Sequence, residues 1–249
     1  MIDLHSHILP GLDDGPETLE GSLELARAAA ADGIVLIAAT PHVREDYPTS
    51  ASEMERGVDE LRSELRGARI ELELRPGGEL ALEQLASLPP EELRRFGLGG
   101  SSEYLLVETP YAGWPLELPE RLFHLRASGL TAVLAHPERN AEVQANPEGT
   151  LRPLVERGTL IQLTAASVDG RLGRSARRAS AELLEHGLAH LLASDAHAPA
   201  LRAVGMTKAA ASIGDPALAR WLTWDVPAAL LEGEGVPERP TTKRRWFGR

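Results

Sequence analysis

Met1-Ile2-Asp3-Leu4-His5-Ser6-His7 sets an apolar start directly against two histidines spaced two residues apart. Side chains alternate along an extended chain, so His5 and His7 share one side of a first strand. The same arrangement recurs along the chain. Ile34-Val35-Leu36-Ile37 runs into Thr40-Pro41-His42, Glu79 follows Gly78, and Glu108 ends Tyr104-Leu105-Leu106-Val107. Ala135-His136-Pro137-Glu138-Arg139 and Ser194-Asp195-Ala196-His197 close the series. Strand ends are where α/β enzymes place their chemistry, because strands fix position while the loops after them vary. Five imidazoles (His5, His7, His42, His136, His197) and four carboxylates (Asp14, Glu79, Glu108, Asp195) exceed what one ion needs. The pattern points to a multinuclear metal hydrolase.

Working outward, seven strands are expected: Ile2–Leu4, Ile34–Ala38, Ile70–Leu74, Tyr104–Val107, Ala132–Ala135, Leu160–Leu163 and His190–Ala193. Helical patterns separate them. One runs from Pro16 to Asp32, with Leu19, Leu23, Ala26 and Ala30 on one face and Gly33 as its stop. Ser52-Glu53-Met54-Glu55 reads as a capping box opening a helix whose Met54, Val58, Leu61 and Leu65 share a face. Asn146-Pro147 supplies an N-cap and a first-turn proline before Leu151, Leu154 and Val155, and Gly158 ends that helix. Similar signals bracket Glu117–Ser128 and Arg174–His186. Alternation of strand and helix is the mark of a parallel sheet. An open sheet gathers its site from two or three strands at a switch point. Chemistry-bearing residues at six of seven strand ends fit a ring instead. One domain over 1–232 is expected, with Gly233–Arg249, Gly/Pro-rich and then basic, fraying from it.

The 249 residues suffice for a large core. Cysteine is absent, which excludes disulfides, thiolate ligands and a cysteine nucleophile. A net charge of −11 argues against nucleic acid as a partner, since that needs a basic stripe. Neither a signal peptide nor a membrane-spanning run is read in the chain, so a cytoplasmic protein is expected.

Each motif has a plainer alternative. Asp13-Asp14-Gly15-Pro16 can be a turn leading into a helix, and His42 a surface histidine after a proline. Glu79 and Glu108 can be salt-bridge partners of arginine, although carboxylates also bridge cations, which imidazoles do not do readily. Arg139 and Arg202 each follow a candidate ligand by a few residues and carry the planar fork that fits phosphate; the alternative is a solvent-facing ion pair. His124, His186 and His190 lack strand-end placement and are read as structural.

Taken in order, these segments resemble the PHP superfamily, and within it the bacterial metal-dependent tyrosine-protein phosphatases of capsular and exopolysaccharide machinery. Met1–Pro10, Asp13-Asp14-Gly15, Ala39-Thr40-Pro41-His42, Pro76-Gly77-Gly78-Glu79 and Val107-Glu108-Thr109-Pro110 carry the resemblance, with Ala135–Asn140 and Ala193–His197. It covers essentially the whole chain, tail included. The resemblance implies an α/β fold, a distorted (β/α)7 barrel of the PHP type, with a trinuclear site at the C-terminal strand ends. By carry-over, His5, His7, Glu79 and Asp195 surround one ion. Glu79, Glu108 and His136 hold a second, and Asp14, His42 and His197 a third. Mn²⁺ is the expected divalent ion, with Fe, Zn and Co also suited to N and O donors. Arg139 and Arg202 match the substrate-phosphate arginines. The implied partner is a phosphotyrosine-bearing protein, the tail of a bacterial tyrosine kinase, to whose membrane-bound complex the chain is recruited. Val43-Arg44-Glu45-Asp46-Tyr47 follows no common pattern of the family. Histidinol-phosphate phosphatase and an inactive PHP-like binding module are the rival readings.

Overall fold

The computed structural model describes residues 1–198 and 204–241. Arg202 and the basic end Lys243–Arg249 lie outside the described residues. Ten strands are described: β1 Ile2–Ser6, β2 Leu36–Ala39, β3 His42–Arg44, β4 Tyr47–Pro48, β5 Glu73–Arg75, β6 Glu79–Ala81, β7 Tyr104–Glu108, β8 Thr131–Ala135, β9 Leu160–Thr164 and β10 Leu191–Ala193. They form two ladders, β1-β2-β5 and β10-β9-β8-β7-β6-β3-β4. Every described pairing is parallel except the β3–β4 hairpin.

The two ladders are parts of one distorted barrel. Thr40-Pro41 separates β2 from β3, and Pro76-Gly77-Gly78 separates β5 from β6. Proline has no N–H to give a ladder, so both strand positions break and resume in the other sheet. At the remaining seam β1 meets the end of β10 through one bridge, Ser6 to Ala196. His7 N donates to Ala196 O and Asp195 N to His5 O, both at 2.9 Å. That seam carries His5, His7 and Asp195, so the place where the two ladders meet contributes three residues to the site.

The seven expected strands are all present, with ends shifted by a few residues. β3, β4 and β6 were not expected: at two or three residues they are too short for alternation to register. Glu79 therefore opens β6 rather than ending a strand, paired in register with His42 at the head of β3. Strands β1, β7 and β9 are buried throughout, as a parallel sheet covered on both faces requires.

The first helix begins at Leu19 rather than Pro16, because the Thr18 side chain caps it by accepting from Gly21 N. Its buried face is Leu23, Leu25, Ala26 and Ala29; Leu19 is exposed and Ala30 only partly covered. The second helix, Ala51–Gly67, has its capping box at Ser50 and Glu53, two residues before the expected one. Ser50 precedes the first helical residue, where its N–H is free for the Glu53 carboxylate at 2.9 Å. Met54, Val58, Leu61 and Leu65 are buried as expected. Asn146 caps Pro147–Val155, which stops before Gly158 at φ 91°.

The segment expected to fray is tied to the barrel as far as it is described. Tyr104 OH donates to Glu234 O at 2.8 Å, Trp221 Nε1 to Pro237 O at 3.1 Å and Arg239 Nη2 to Leu184 O at 2.6 Å. Among the described residues no helix is long and apolar enough to cross a membrane.

His190 locks the β9–β10 edge, its Nδ1 accepting from Ile161 N at 3.1 Å. Burial, and then the Arg239 guanidinium, lower its pKa to about 4. The unfolded imidazole, near ~6.5, takes a proton first as pH falls, so the folded state loses ground between those values. The expected loss is at most about 3 kcal/mol, complete near pH 4. Urea midpoints of the wild type and His190→Gln, measured across this range, should converge as pH falls; a difference independent of pH refutes the assignment.

Candidate metal centre

β1 delivers His5 and His7 side by side, both fully buried. The following loop doubles back so closely that a Cβ at Gly15 would sit 2.1 Å from His7 O. Only glycine permits this approach, and it places Asp13 and Asp14 against the end of β1. His42 and Glu79 lead the adjacent strands β3 and β6 in register, and Glu108 ends β7 beside them. A Cβ on Gly78 would lie 2.6 Å from the Phe96 ring, so Glu79 reaches the mouth past a buried aromatic. His136 and Asp195, just past β8 and β10, hold positive φ of 35° and 52°. Left-handed backbone costs a non-glycine residue roughly 1–3 kcal/mol and concentrates at functional sites. Both of these residues are candidate ligands.

Glu79 lies at the centre. Its Oε2 is 3.4 Å from His5 Nε2, 3.3 Å from His7 Nε2 and 3.0 Å from His42 Nδ1; its Oε1 is 2.9 Å from His136 Nε2. Asp195 Oδ1 stands 3.4 Å from both His5 Nε2 and His7 Nε2, which are 3.3 Å apart. Asp14 Oδ1 is 3.5 Å from His42 Nε2 and 3.1 Å from His197 Nε2. Donors bound to one ion at about 2.0–2.2 Å lie roughly 3–3.6 Å apart, the spacing seen here. Four groups have donor atoms close enough to share an ion: His7, Asp14, His42 and His197; His5, His136 and Asp195; His5, His7 and Glu79; His42, Glu79 and Glu108. All nine expected residues are thus in one cluster. Glu108 falls beside His42 and Glu79, while His136 falls beside His5 and Asp195. Glu108 also pairs with Arg44 at 3.2 Å, so the plainer reading of that carboxylate holds alongside.

The outer ring nitrogens explain why the inner ones are available. His5 Nδ1 donates to Gln162 Oε1 at 3.0 Å, His7 Nδ1 to Asp13 Oδ2 at 2.6 Å, and His197 Nδ1 to Asp195 O at 2.9 Å. With Nδ1–H held in this way, each Nε2 turns a lone pair inward, as a ligand requires. Asp13 also accepts from His42 N at 3.0 Å, and Gln162 from His136 N at 3.2 Å. Sequence reasoning missed both. Gln162 carried a signal, being an amide within the apolar run Leu160-Ile161-Gln162-Leu163.

Burial would raise the Glu79 carboxyl, but the His5 charge and the hydrogen bond from His136 hold it well below the carboxylate range. Burial and the Glu79 charge raise Glu108. Burial and the Arg139 charge lower His136 to about 4, which keeps that ring neutral. Glu79 Oε2 and His42 Nδ1 are buried without a hydrogen-bond partner although they face each other. Orphaned donors converging on one point, all nitrogen or oxygen, fit hard or borderline divalent cations.

Pro137, Glu138 and Arg139 form a single turn after β8, fixed where Glu138 Oε1 accepts from Thr164 N at 3.0 Å. The turn aims Arg139 at the cluster: Nη1 donates to Asp195 Oδ2 at 2.5 Å, and the guanidinium lies 4.8 Å from the centre of the Tyr111 ring. His124 and His186 pair with surface glutamates, and His190 serves the sheet edge; none joins the cluster.

The family described as capsular polysaccharide synthesis, CpsB/CapC, matches residues 1–222. Tyrosine-protein phosphatase YwqE of Bacillus subtilis is 36% identical over 200 residues, covering 79% of this chain and 77% of that protein. Tyrosine-protein phosphatase CpsB of Streptococcus pneumoniae is 27% identical over 205 residues, 79% of this chain and 83% of that protein. A crystal structure from the pair YwqE and CpsB, described as unique metal-dependent tyrosine phosphatases, superposes with a TM-score of 0.84 at 32% identity, over 98% of this chain and 100% of that one. A beta-aspartyl dipeptidase of Fervidobacterium islandicum shares the fold, with a TM-score of 0.57 at 15% identity. By the extent of the family match and the identity to YwqE, the chain belongs to the CpsB/CapC family of capsular polysaccharide synthesis.

Proposed function

We propose that this chain is a metal-dependent phosphomonoesterase that removes phosphate from tyrosine in proteins. The observation that carries the reading is the convergence of nine N/O donor side chains into overlapping groups that share His5, His7, His42 and Glu79. Overlap of this kind suits a trinuclear cluster, with Mn²⁺ the leading candidate and Fe, Zn or Co compatible with the donors. His5, His7, Asp14, His42, Glu79, Glu108, His136, Asp195 and His197 are the proposed ligands. When bound, divalent ions supply Lewis acidity and acidify water toward neutral pH.

The protein's own residues supply the rest. Gln162 and Asp13 hold His5 and His7 in one tautomer. Arg139, fixed between Asp195 and Tyr111, presents its remaining donors to phosphate oxygens and needs no rearrangement as charge redistributes. Arg202 is proposed for the same anion. A phenolate leaving group, with a pKa near ~10, demands less protonation than an alkoxide. The relatives named above are tyrosine-protein phosphatases, which favours phosphotyrosine over histidinol phosphate. The proposed substrate is the cytoplasmic tail of a tyrosine kinase that regulates capsule or exopolysaccharide synthesis.

Protein purified without chelator and supplied with Mn²⁺ is expected to hold more than one ion per chain and to prefer phosphotyrosine over phosphoserine in peptides of one sequence. Greater efficiency on histidinol phosphate would move the assignment to that reaction, and a single ion per chain would sink the cluster. Arg139→Ala should lower kcat/KM by roughly 10²–10³ with metal content unchanged; near-normal turnover would make Arg139 a mere ion-pair partner. Asp13→Asn should weaken metal retention about 10–100-fold by loosening His7. Unchanged affinity in a competition with chelator would show that Asp13 does not orient the ring.

A further inference from the structure

The cluster is flanked by two arrangements of the same kind. On one side Tyr111 stacks on His136, with centroids 6.0 Å apart and planes 19° apart; the Arg139 guanidinium lies 4.8 Å from the Tyr111 centroid and binds Asp195. On the other, Tyr47 stacks on His42, with centroids 5.7 Å apart and planes 17° apart. The Arg44 guanidinium lies 5.2 Å from the Tyr47 centroid and binds Glu108 at 3.2 Å. Each unit is therefore a cluster imidazole, a tyrosine stacked on it, and an arginine that touches both the tyrosine and a cluster carboxylate. Along the ladder, β6 and β7 separate the His42 side from the His136 side.

We propose that Arg44 binds the substrate's phosphoryl group from the side of the cluster opposite Arg139. The inference rests on the phosphatase reading above and adds a residue to it. The β3–β4 hairpin sets Arg44 directly opposite Tyr47, so the pair is fixed by backbone pairing and not by a free loop. An arginine has five N–H donors in a plane, and one bond to Glu108 and one ion pair to Asp46 at 2.8 Å leave others to turn outward. The ring below shields one guanidinium face, which strengthens its hold on an anion. Glu108 Oε2 faces both Arg44 Nη1 at 3.2 Å and His42 Nδ1 at 3.7 Å, so one carboxylate ties the arginine to the cluster.

The alternative is that Arg44 only balances the charge of Glu108. Metal-loaded wild type, Arg44→Ala, Arg44→Lys and Arg139→Ala separate the two through binding of inorganic phosphate by calorimetry, hydrolysis of an aryl phosphate, and metal content. Arg44→Ala is expected to weaken phosphate binding ~10-fold and to lower kcat/KM about 10²-fold, with metal per chain unchanged. Arg44→Lys should fall between, because it keeps the charge and loses the planar fork. Unchanged phosphate affinity, or metal lost in step with activity, overturns the proposal. A wild type that binds phosphate through Arg44 yet leaves the aryl ester intact would sink the phosphatase reading and keep Arg44 only as a phosphate-binding residue.

Discussion

The carboxylate of Glu79 is the group on which the rest of the barrel mouth depends. It is completely buried and lies within 3.4 Å of nitrogens from four histidines carried by β1, β3 and the end of β8. A lone carboxylate in such a place would be untenable, since burying an unpaired charge costs far more than a domain's net stability. The fold resolves this by gathering opposite and shareable charge around one point. Strand order, register and the two proline breaks all serve to bring those donors there.

A second layer makes the first usable. Asp13 and Gln162 touch no inner donor position, yet each fixes one histidine ring and steadies the backbone of another. Removing either would take away the hydrogen bond that sets the orientation of its candidate ligand ring. Backbone strain works to the same end. Positive φ at His136 and Asp195 would be costly in isolation and persists because strands on both sides hold it.

The arginines show how the same charges reach outward. Arg139 and Arg44 are each anchored on a cluster carboxylate and each lie over a tyrosine stacked on a cluster histidine. Their orientation is thereby set before any anion arrives, which is the condition under which a charge donor is most effective. Tyr111, whose hydroxyl burial pushes up to about 12, stays neutral as a platform.

Much of this was legible in the residues. The ring was read from the spread of candidate residues over the strand ends. Most candidate ligands were marked by their place near the ends of apolar runs, with Asp14 supplied by the resemblance, and the alternation of strand and helix pointed to a parallel sheet, because these patterns are local. Met54, Val58, Leu61 and Leu65 were legible for the same reason. The three-residue strands β3 and β6 were not, because they exist only through pairing across the barrel. Which donors meet was legible in part through the resemblance, since Asp14, His42 and His197 share a group and Glu79 lies among His5, His7 and His136, but ring order alone sets Glu108 beside His42 and His136 also beside His5 and Asp195. Asp13 and Gln162 gain their roles from partners 6 to 157 residues away. The sequence by itself determined which chemistry the chain carries, since residue type and strand-end position are written along it. Only the tertiary structure decided how that chemistry is shared, because distances between strand ends are set by the closure of the barrel.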